Sequence, residues 1–360
     1  MLIVNFTLDR QSPVLAWQAA VANALAERVE AVHVFTEWLG EFEPAAGVTF
    51  DVMPHRPWGV PRRLGAAWLM RPRLKRILDS IRPDVCFVHM AHEWCYRLGP
   101  LLRSRHIPLL LWYAHGSVPW KLKLSSHFAD RIITSTPEGF RIETPKKRVI
   151  GQAIDTDLFR IAADRVLEPL IVTVGRISRR KRVDLLIEAM AHLRTRPGCG
   201  DVRLIAAGPT LTADDRAYMH ELEARVTALG LDKAVSLPGP MSQAETARYY
   251  ESARLHVNVS ETGSMDKTVM EALACGCPVL TSNVAFRDEL AHFPEMLIAS
   301  PTAATLAERM ADWMSGRSAA SPESLRAIVA GRHDLDGWAD RLLAELVDLA
   351  EGARRARGTP

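Results

Sequence analysis

Long apolar runs are missing from this 360-residue chain. No eighteen consecutive apolar residues occur, so no membrane-spanning helix is expected. The opening MLIVNFTL has no basic leader followed by a long apolar stretch, and it reads as a first β-strand rather than a secretion signal. Cysteine is scarce. Cys86, Cys95, Cys199, Cys275 and Cys277 are odd in number and mostly set among apolar residues. That excludes a disulfide framework and favours a reduced, cytoplasmic setting. Cys275 and Cys277 flank a glycine, but no second pair completes the four ligands of a closed zinc site, so no metal is expected. A glycine-rich fingerprint is also missing from the first turn. Residues 7–13 read Thr-Leu-Asp-Arg-Gln-Ser-Pro, which argues against a nicotinamide dinucleotide there. No cofactor is expected.

What is present is an ordinary soluble composition, 48% hydrophobic and 24% charged, long enough for two or three cored domains. The net charge of +3 is unevenly spread. Residues 1–160 carry 21 basic and 15 acidic side chains, and the remainder carries 24 and 27. The excess gathers at Arg62, Arg63, Arg71, Arg73, Lys75 and Arg76, with no acid in 52–78 and with Trp58, Trp68, Leu69 and Met70 interleaved. A basic amphipathic helix with aromatics suits an anionic membrane surface. A solvated helix packing its apolar side on a sheet is the plainer alternative. Confinement of the excess to one segment argues against nucleic acid.

Short apolar runs bounded by Pro, Gly or charge mark strands at Leu2–Asn5, Ala31–Thr36, Val48–Met53, Val85–His89, Leu109–Trp112, Arg131–Thr134 and Arg148–Ile150. Helical patterns lie between them, notably Val14–Val29 and Leu64–Ser80. After a boundary near Gly151–Pro169 the plan repeats. Strands are expected at Leu170–Val174, Val202–Ala207, Ala234–Leu237, Leu255–Val259, Val279–Ser282 and Met296–Ile298. Helices are expected at Val183–Arg194, Asp214–Leu229, Gln243–Ser252, Thr268–Ala274 and Leu335–Glu351, the last followed by a frayed tail. Ser242 and Glu245 fit a capping box. Alternating strands and helices favour parallel sheets, giving an α/β fold of two doubly wound domains with a ligand cleft between them.

Two segments carry chemistry. In VTVGRISRRKRVDLL, Arg176 follows Gly175 at a strand end and Lys181 lies where the next helix begins. Two fixed cations with a helix N-terminus can hold a diphosphate and stabilise it as a leaving group, in place of a metal ion. The alternative is a solvated charge run, the reading favoured for Arg179, Arg180 and Arg182. In NVSETGSMDKTVMEALACGCP, Glu271 sits in a helix otherwise of Met, Ala, Leu and Cys, where a carboxylate needs partners such as a ribose diol or an ion pair. Gly263, Ser264, Met265, Asp266 and Lys267 form the loop before it, with amides for sugar hydroxyls and phosphate. At the ends of first-half strands stand His115, placed to hydrogen-bond a sugar or transition state or else a structural histidine, and His89, a candidate for acceptor binding with a packed core histidine as the default. Arg10, in the first loop, could meet an anion.

These segments resemble the retaining, GT-B-fold glycosyltransferases of family four. VGRISRRKRVDLLIEAM is similar to their donor-phosphate segment, and ARLHVNVSETGSMDKTVMEALACGCPVL to their signature of two glutamates eight apart. GQAIDTDLF resembles the interdomain segment, and in YAHG, His115 resembles the active-site histidine. The resemblance implies two Rossmann-like domains facing across a cleft: an acceptor domain (1–158), a donor domain (159–334), and a C-terminal helix and tail (335–360) packing back on the first. It implies that Arg176 and Lys181 bind the diphosphate and Glu271 the ribose of a UDP- or GDP-sugar, without metal, with transfer of a hexose-type sugar to a glycan or lipid-linked acceptor. Two departures stand out. Gly263 occupies the place of the first signature glutamate, with Glu261 and Asp266 the nearest carboxylates. The family's first-loop glycine pair is replaced by Asp9-Arg10-Gln11-Ser12-Pro13. Loss of that glutamate favours a front-face transfer, in which the leaving phosphate accepts the acceptor proton. A non-catalytic nucleotide-sugar-binding partner and a nucleotide-sugar epimerase are the competing readings. A peripheral place on the inner membrane face follows from the basic segment.

Overall fold

The structure, a computed structural model, describes residues 1–53, 66–260, 263–316 and 320–358, with the backbone alone for 66–71. The chain divides into two compact units, Met1–Ala153 with Leu335–Pro360, and Ile154–Asp334.

The first unit runs β1 (Leu2–Leu8), α1 (Trp17–Ala26), β2 (Val32–Leu39), β3 (Val48–Val52), α2 (Ala66–Ile81), β4 (Cys86–His89), α3 (Glu93–Arg103), β5 (Leu109–Trp112), α4 (Trp120–Phe128), β6 (Arg131–Thr134) and β7 (Lys147–Val149). Its seven strands are all parallel, in the order β3-β2-β1-β4-β5-β6-β7. A sheet covered on both faces reads as nearly unbroken apolar runs. Alternate residues nonetheless feed separate cores. Leu2, Val4, Cys86, Val88, Leu109 and Leu111 join one cluster, while Ile3, Phe87, Leu110 and Trp112 join the other. The second cluster is closed by α1 and by α11 (Leu335–Ala356), which buries Trp338, Leu342 and Leu346. Arg28 bonds Asp336 and Asp340, and Arg131 bonds Glu345 and Asp348, fixing α11 to this unit. The helix runs on to Ala356, into the segment expected to fray. Arg354 and Arg355 stand in its last turn, where cations suit the helix dipole, and Arg354 pairs with Asp84 at 2.5 Å.

The second unit runs β8 (Glu168–Val174), α5 (Val183–Arg194), β9 (Arg203–Ala207), α6 (Ala213–Ala228), β10 (Val235–Gly239), α7 (Gln243–Ser252), β11 (Ala253–Asn258), α8 (Lys267–Ala274), β12 (Val279–Thr281), α9 (Ala303–Met314) and α10 (Pro322–Val329). Its parallel sheet has the order β10-β9-β8-β11-β12. The strand order therefore reverses between β8 and β11, and such switch points open a crevice at the strands' carboxyl ends. Ser242 caps α7 in the expected box, its hydroxyl accepting from the Glu245 amide while the Glu245 carboxylate accepts from the Ser242 amide at 2.8 Å. The strand expected at Met296–Ile298 is instead a 3-10 turn, Pro294–Met296, followed by a single bridge from Leu297 to Thr281.

Candidate functional site

The switch point of the second unit collects the residues singled out in its sequence. β8 ends at Val174 and leads into Gly175. β9 ends at Ala207 and leads into Gly208, whose φ of +153° and close approach to Gly175 admit no side chain: a Cβ there would fall 1.8 Å from the Gly175 oxygen. Packing this tight brings the chain turns of β8 and β9 together and presents Arg176 and Lys181 from one loop.

Arg176 is held from behind. Its Nε and Nη2 donate to the two carboxylate oxygens of Asp215 at 2.8 and 3.1 Å, a bidentate pair. The Asp215 side chain is 3% exposed and that of Arg176 is 42% exposed. Burial alone would raise the Asp215 pKa. The Arg176 bond, the amides of Leu211 and Thr212 and the Thr212 hydroxyl outweigh it and hold the carboxyl down at about 2. The same aspartate completes the capping box of α6. The second cation, Lys181, ends the 3-10 turn Arg179–Lys181, and its ammonium lies 2.9 Å from Asp266. A Cβ on Gly175 would come within 3.5 Å of the Lys181 Cε, so the lysine runs along the strand end.

Asp266 precedes α8, which begins one residue earlier than expected. One helical turn apart on α8 stand Lys267, half-buried, and Glu271, buried. Burial raises the Glu271 carboxyl above the usual carboxylate range against the pull of Lys267, with Asp155 pushing the same way as burial. Burial lowers Lys267, opposed by Glu271 and Asp155. An apolar helix thus places a carboxylate of elevated pKa beside an amine of lowered pKa, which is the environment expected of a ligand-binding pair. Ser264 and Met265 are buried, with Asn283 Nδ2 donating to the Ser264 carbonyl at 2.7 Å, and Gly263 takes φ +66°. Glu261 lies outside the described residues. Among the described residues no group of three metal-ligating side chains occurs.

Several groups here escaped sequence reasoning. Asp215 and Asp266 as counter-ions, and Asn258 as a donor to Asp266 at 3.0 Å, become visible only through tertiary contact. Asp155 had a signal, since it sits in the GQAIDTDLF segment. The chain there is pinned by Arg326, which bonds the carbonyls of Thr156, Phe159 and Ala274.

The remaining candidates belong to the first unit. His115 is exposed just beyond β5, and its Nδ1 accepts from the Ser117 amide at 3.1 Å, which places the neutral ring's proton on Nε2. His89 ends β4 fully buried, edge-on to Trp17 at 4.2 Å and stacked on Phe87. It is a core histidine in this structure, with no exposed face at the strand end to meet an acceptor. Arg10 is exposed and pairs with Glu43 at 3.3 Å. In α2, Leu74 and Leu78 are buried while Lys75 and Arg76 are exposed, and Arg73 pairs with Asp51 at 2.7 Å. Arg62 and Arg63, and the side chain of Arg71, lie outside the described residues. The five cysteines are buried and unlinked.

Comparison with known proteins gives a consistent result. A family model described as Glycosyl transferases group 1 matches residues 168–315, and one described as Glycosyltransferase Family 4 matches 19–140. The chain is 27% identical over 384 residues to D-inositol 3-phosphate glycosyltransferase 1 of Catenulispora acidiphila, covering 92% of this chain and 90% of that one. It is 27% identical over 333 residues to the D-inositol 3-phosphate glycosyltransferase of Segniliparus rotundus, covering 83% and 68%. Among solved structures, Anabaena HepE in complex with UDP and glucose superposes with a TM-score of 0.75 at 16% identity, over 97% of this chain and all of that one. Sucrose-phosphate synthase of Thermosynechococcus elongatus gives 0.74 at 17%, over 98% and 100%. The structural likeness is one of fold, the GT-B class.

Proposed function

We propose that this chain, which belongs to the glycosyl transferases group 1 (glycosyltransferase family 4), moves a hexose-type sugar from a nucleoside diphosphate to a glycan or lipid-linked glycan, with retention and without a metal ion. The observation that carries this reading is the gathering of Arg176, Lys181 and the Lys267–Glu271 pair at one switch point. Arg176 and Lys181 offer donors to the diphosphate oxygens, and the first amides of α8 lack intrahelical acceptors and favour negative charge. Glu271 accepts from the ribose hydroxyls. As the bond between the anomeric carbon and the phosphate oxygen breaks, the two cations take up the charge that develops on the leaving diphosphate. The acceptor hydroxyl attacks from the same face, and its proton passes to the departing phosphate oxygen. No side chain serves as nucleophile, consistent with glycine at position 263.

UDP is the favoured carrier, because the similar fold of HepE is described with UDP and with UDP-glucose. The exposed Lys75 and Arg76 support docking on an anionic, cytoplasmic membrane face. The test is a screen of UDP- and GDP-sugars for nucleotide release with candidate acceptors, with the product anomer read by proton NMR. Release with a retained anomer is the expected result. Tight binding without turnover would instead mark a non-catalytic partner, and an altered sugar still attached to its nucleotide would mark an epimerase.

A further inference from the structure

An aspartate at the N-cap of a helix ordinarily turns its carboxylate back onto the helix's first amides. Asp266 occupies that place before α8, with φ −69° and ψ 121°, and makes no such bond. Its oxygens go elsewhere. Oδ1 lies 2.9 Å from the Lys181 ammonium, and Oδ2 accepts from Asn258 Nδ2 at 3.0 Å. The two charged side chains are enclosed, Asp266 14% and Lys181 18% exposed. Asn258 is itself fixed. It ends β11, is buried, and its Oδ1 accepts from the Thr281 hydroxyl on β12 and from the Ser260 amide. A chain of bonds therefore runs from the neighbouring strands β11 and β12 through a carboxylate to a lysine whose stem lies on Gly175.

We propose that Asp266 is a positioning residue for Lys181, fixing the ammonium at the switch point so that it meets the leaving diphosphate. The inference rests on the donor site proposed above. A free lysine has four rotatable bonds and a compact, strongly hydrated charge, so its position is poorly defined unless a partner holds it. One carboxylate occupies one of its three N–H donors and leaves two for phosphate. Asp266 stands three residues beyond Gly263 and turns its carboxylate toward the cation. Asp266 does not touch the nucleotide.

Holding the lysine and attracting the anion pull in opposite directions. Asp266 cancels part of the charge that draws diphosphate in the ground state and fixes the geometry that matters as the bond breaks. Asp266→Asn keeps the shape and removes the charge. Asp266→Ser can still cap α8 and serves as a second variant should the first fold poorly. UDP and GDP affinity by calorimetry and steady-state donor turnover are measured for each, for Lys181→Met, and for the combined variants. The expected result is a split: nucleotide affinity unchanged or several-fold tighter, with kcat lower by about tenfold. Combined with Lys181→Met, the Asp266 substitution should shift nucleotide affinity less than twofold. Loss of affinity by the same factor with and without Lys181 would overturn the proposal, since it would mean that Asp266 acts on the nucleotide or the loop directly. If the unaltered protein binds neither nucleotide, the donor site itself is wrong and this inference falls with it.

Discussion

Asp215→Asn isolates the ion pair that aims Arg176. The aspartate is buried, accepts from both Nε and Nη2 of Arg176, and closes the α6 capping box. Its pKa is held at about 2 against an ordinary 3.8. At about 1.4 kcal/mol per unit, that displacement corresponds to roughly 2.5 kcal/mol of stability at neutral pH. The guanidinium partner is 42% exposed, so solvent screening brings the expected loss toward about 1 kcal/mol. Asparagine keeps an acceptor for the cap, so most of the loss comes from the ion pair. Because the folded-state pKa is depressed, the contribution is complete above about pH 4 and disappears as pH falls through about 2. Urea unfolding followed by circular dichroism should show the variant less stable at pH 7, with the gap narrowing at pH 3. Turnover should fall by about tenfold, since Arg176 loses the two bonds that orient it. Equal stability of the two proteins at pH 7, or a gap undiminished at pH 3, would refute the reasoning.

Three further outcomes are expected. Glu271→Ala should weaken UDP binding by about 10- to 100-fold, the range for a lost hydrogen bond to a charged group, and should erase discrimination against deoxyribose analogues of UDP; retained discrimination would remove Glu271 from the ribose. Turnover should survive EDTA, and a loss reversed by added magnesium would contradict leaving-group stabilisation by the two cations. Replacing Arg71, Arg73, Lys75 and Arg76 with Gln should release the protein from anionic vesicles, at about 1 kcal/mol per cation near the surface; failure of the unaltered protein to bind such vesicles ends the membrane reading.

Much of the fold was legible because it is encoded locally. β5, β6, α5 and α7 begin and end where apolar spacing and caps place them. Helices α3, α4, α9 and α10 carry no bounds in the sequence reading, which expects helices between the strands and at the chain's end without placing these four. α3 carries Gly99 and Pro100 inside it, residues that read as breaks when seen without tertiary packing. The expected strand at Met296–Ile298 failed because three apolar residues suit a buried turn equally well. At the site, the loops and charges were legible and their partners were not. Arg176 meets a carboxylate 39 residues on, and Lys181 meets one from a different strand connection. Position in a parallel sheet does not by itself make a site: a strand's carboxyl end is a frequent ligand site, yet His89, for which a packed core histidine is the default reading, stands there enclosed by Trp17, Phe87 and Trp338.

The most direct measurement is calorimetric titration of UDP and GDP into the unaltered protein and into Arg176→Ala combined with Lys181→Ala. One of the two nucleotides should bind the unaltered protein, and binding should weaken at least a hundredfold in a variant whose circular dichroism is unchanged. Undiminished affinity in that variant would contradict the placement of the diphosphate between these two cations.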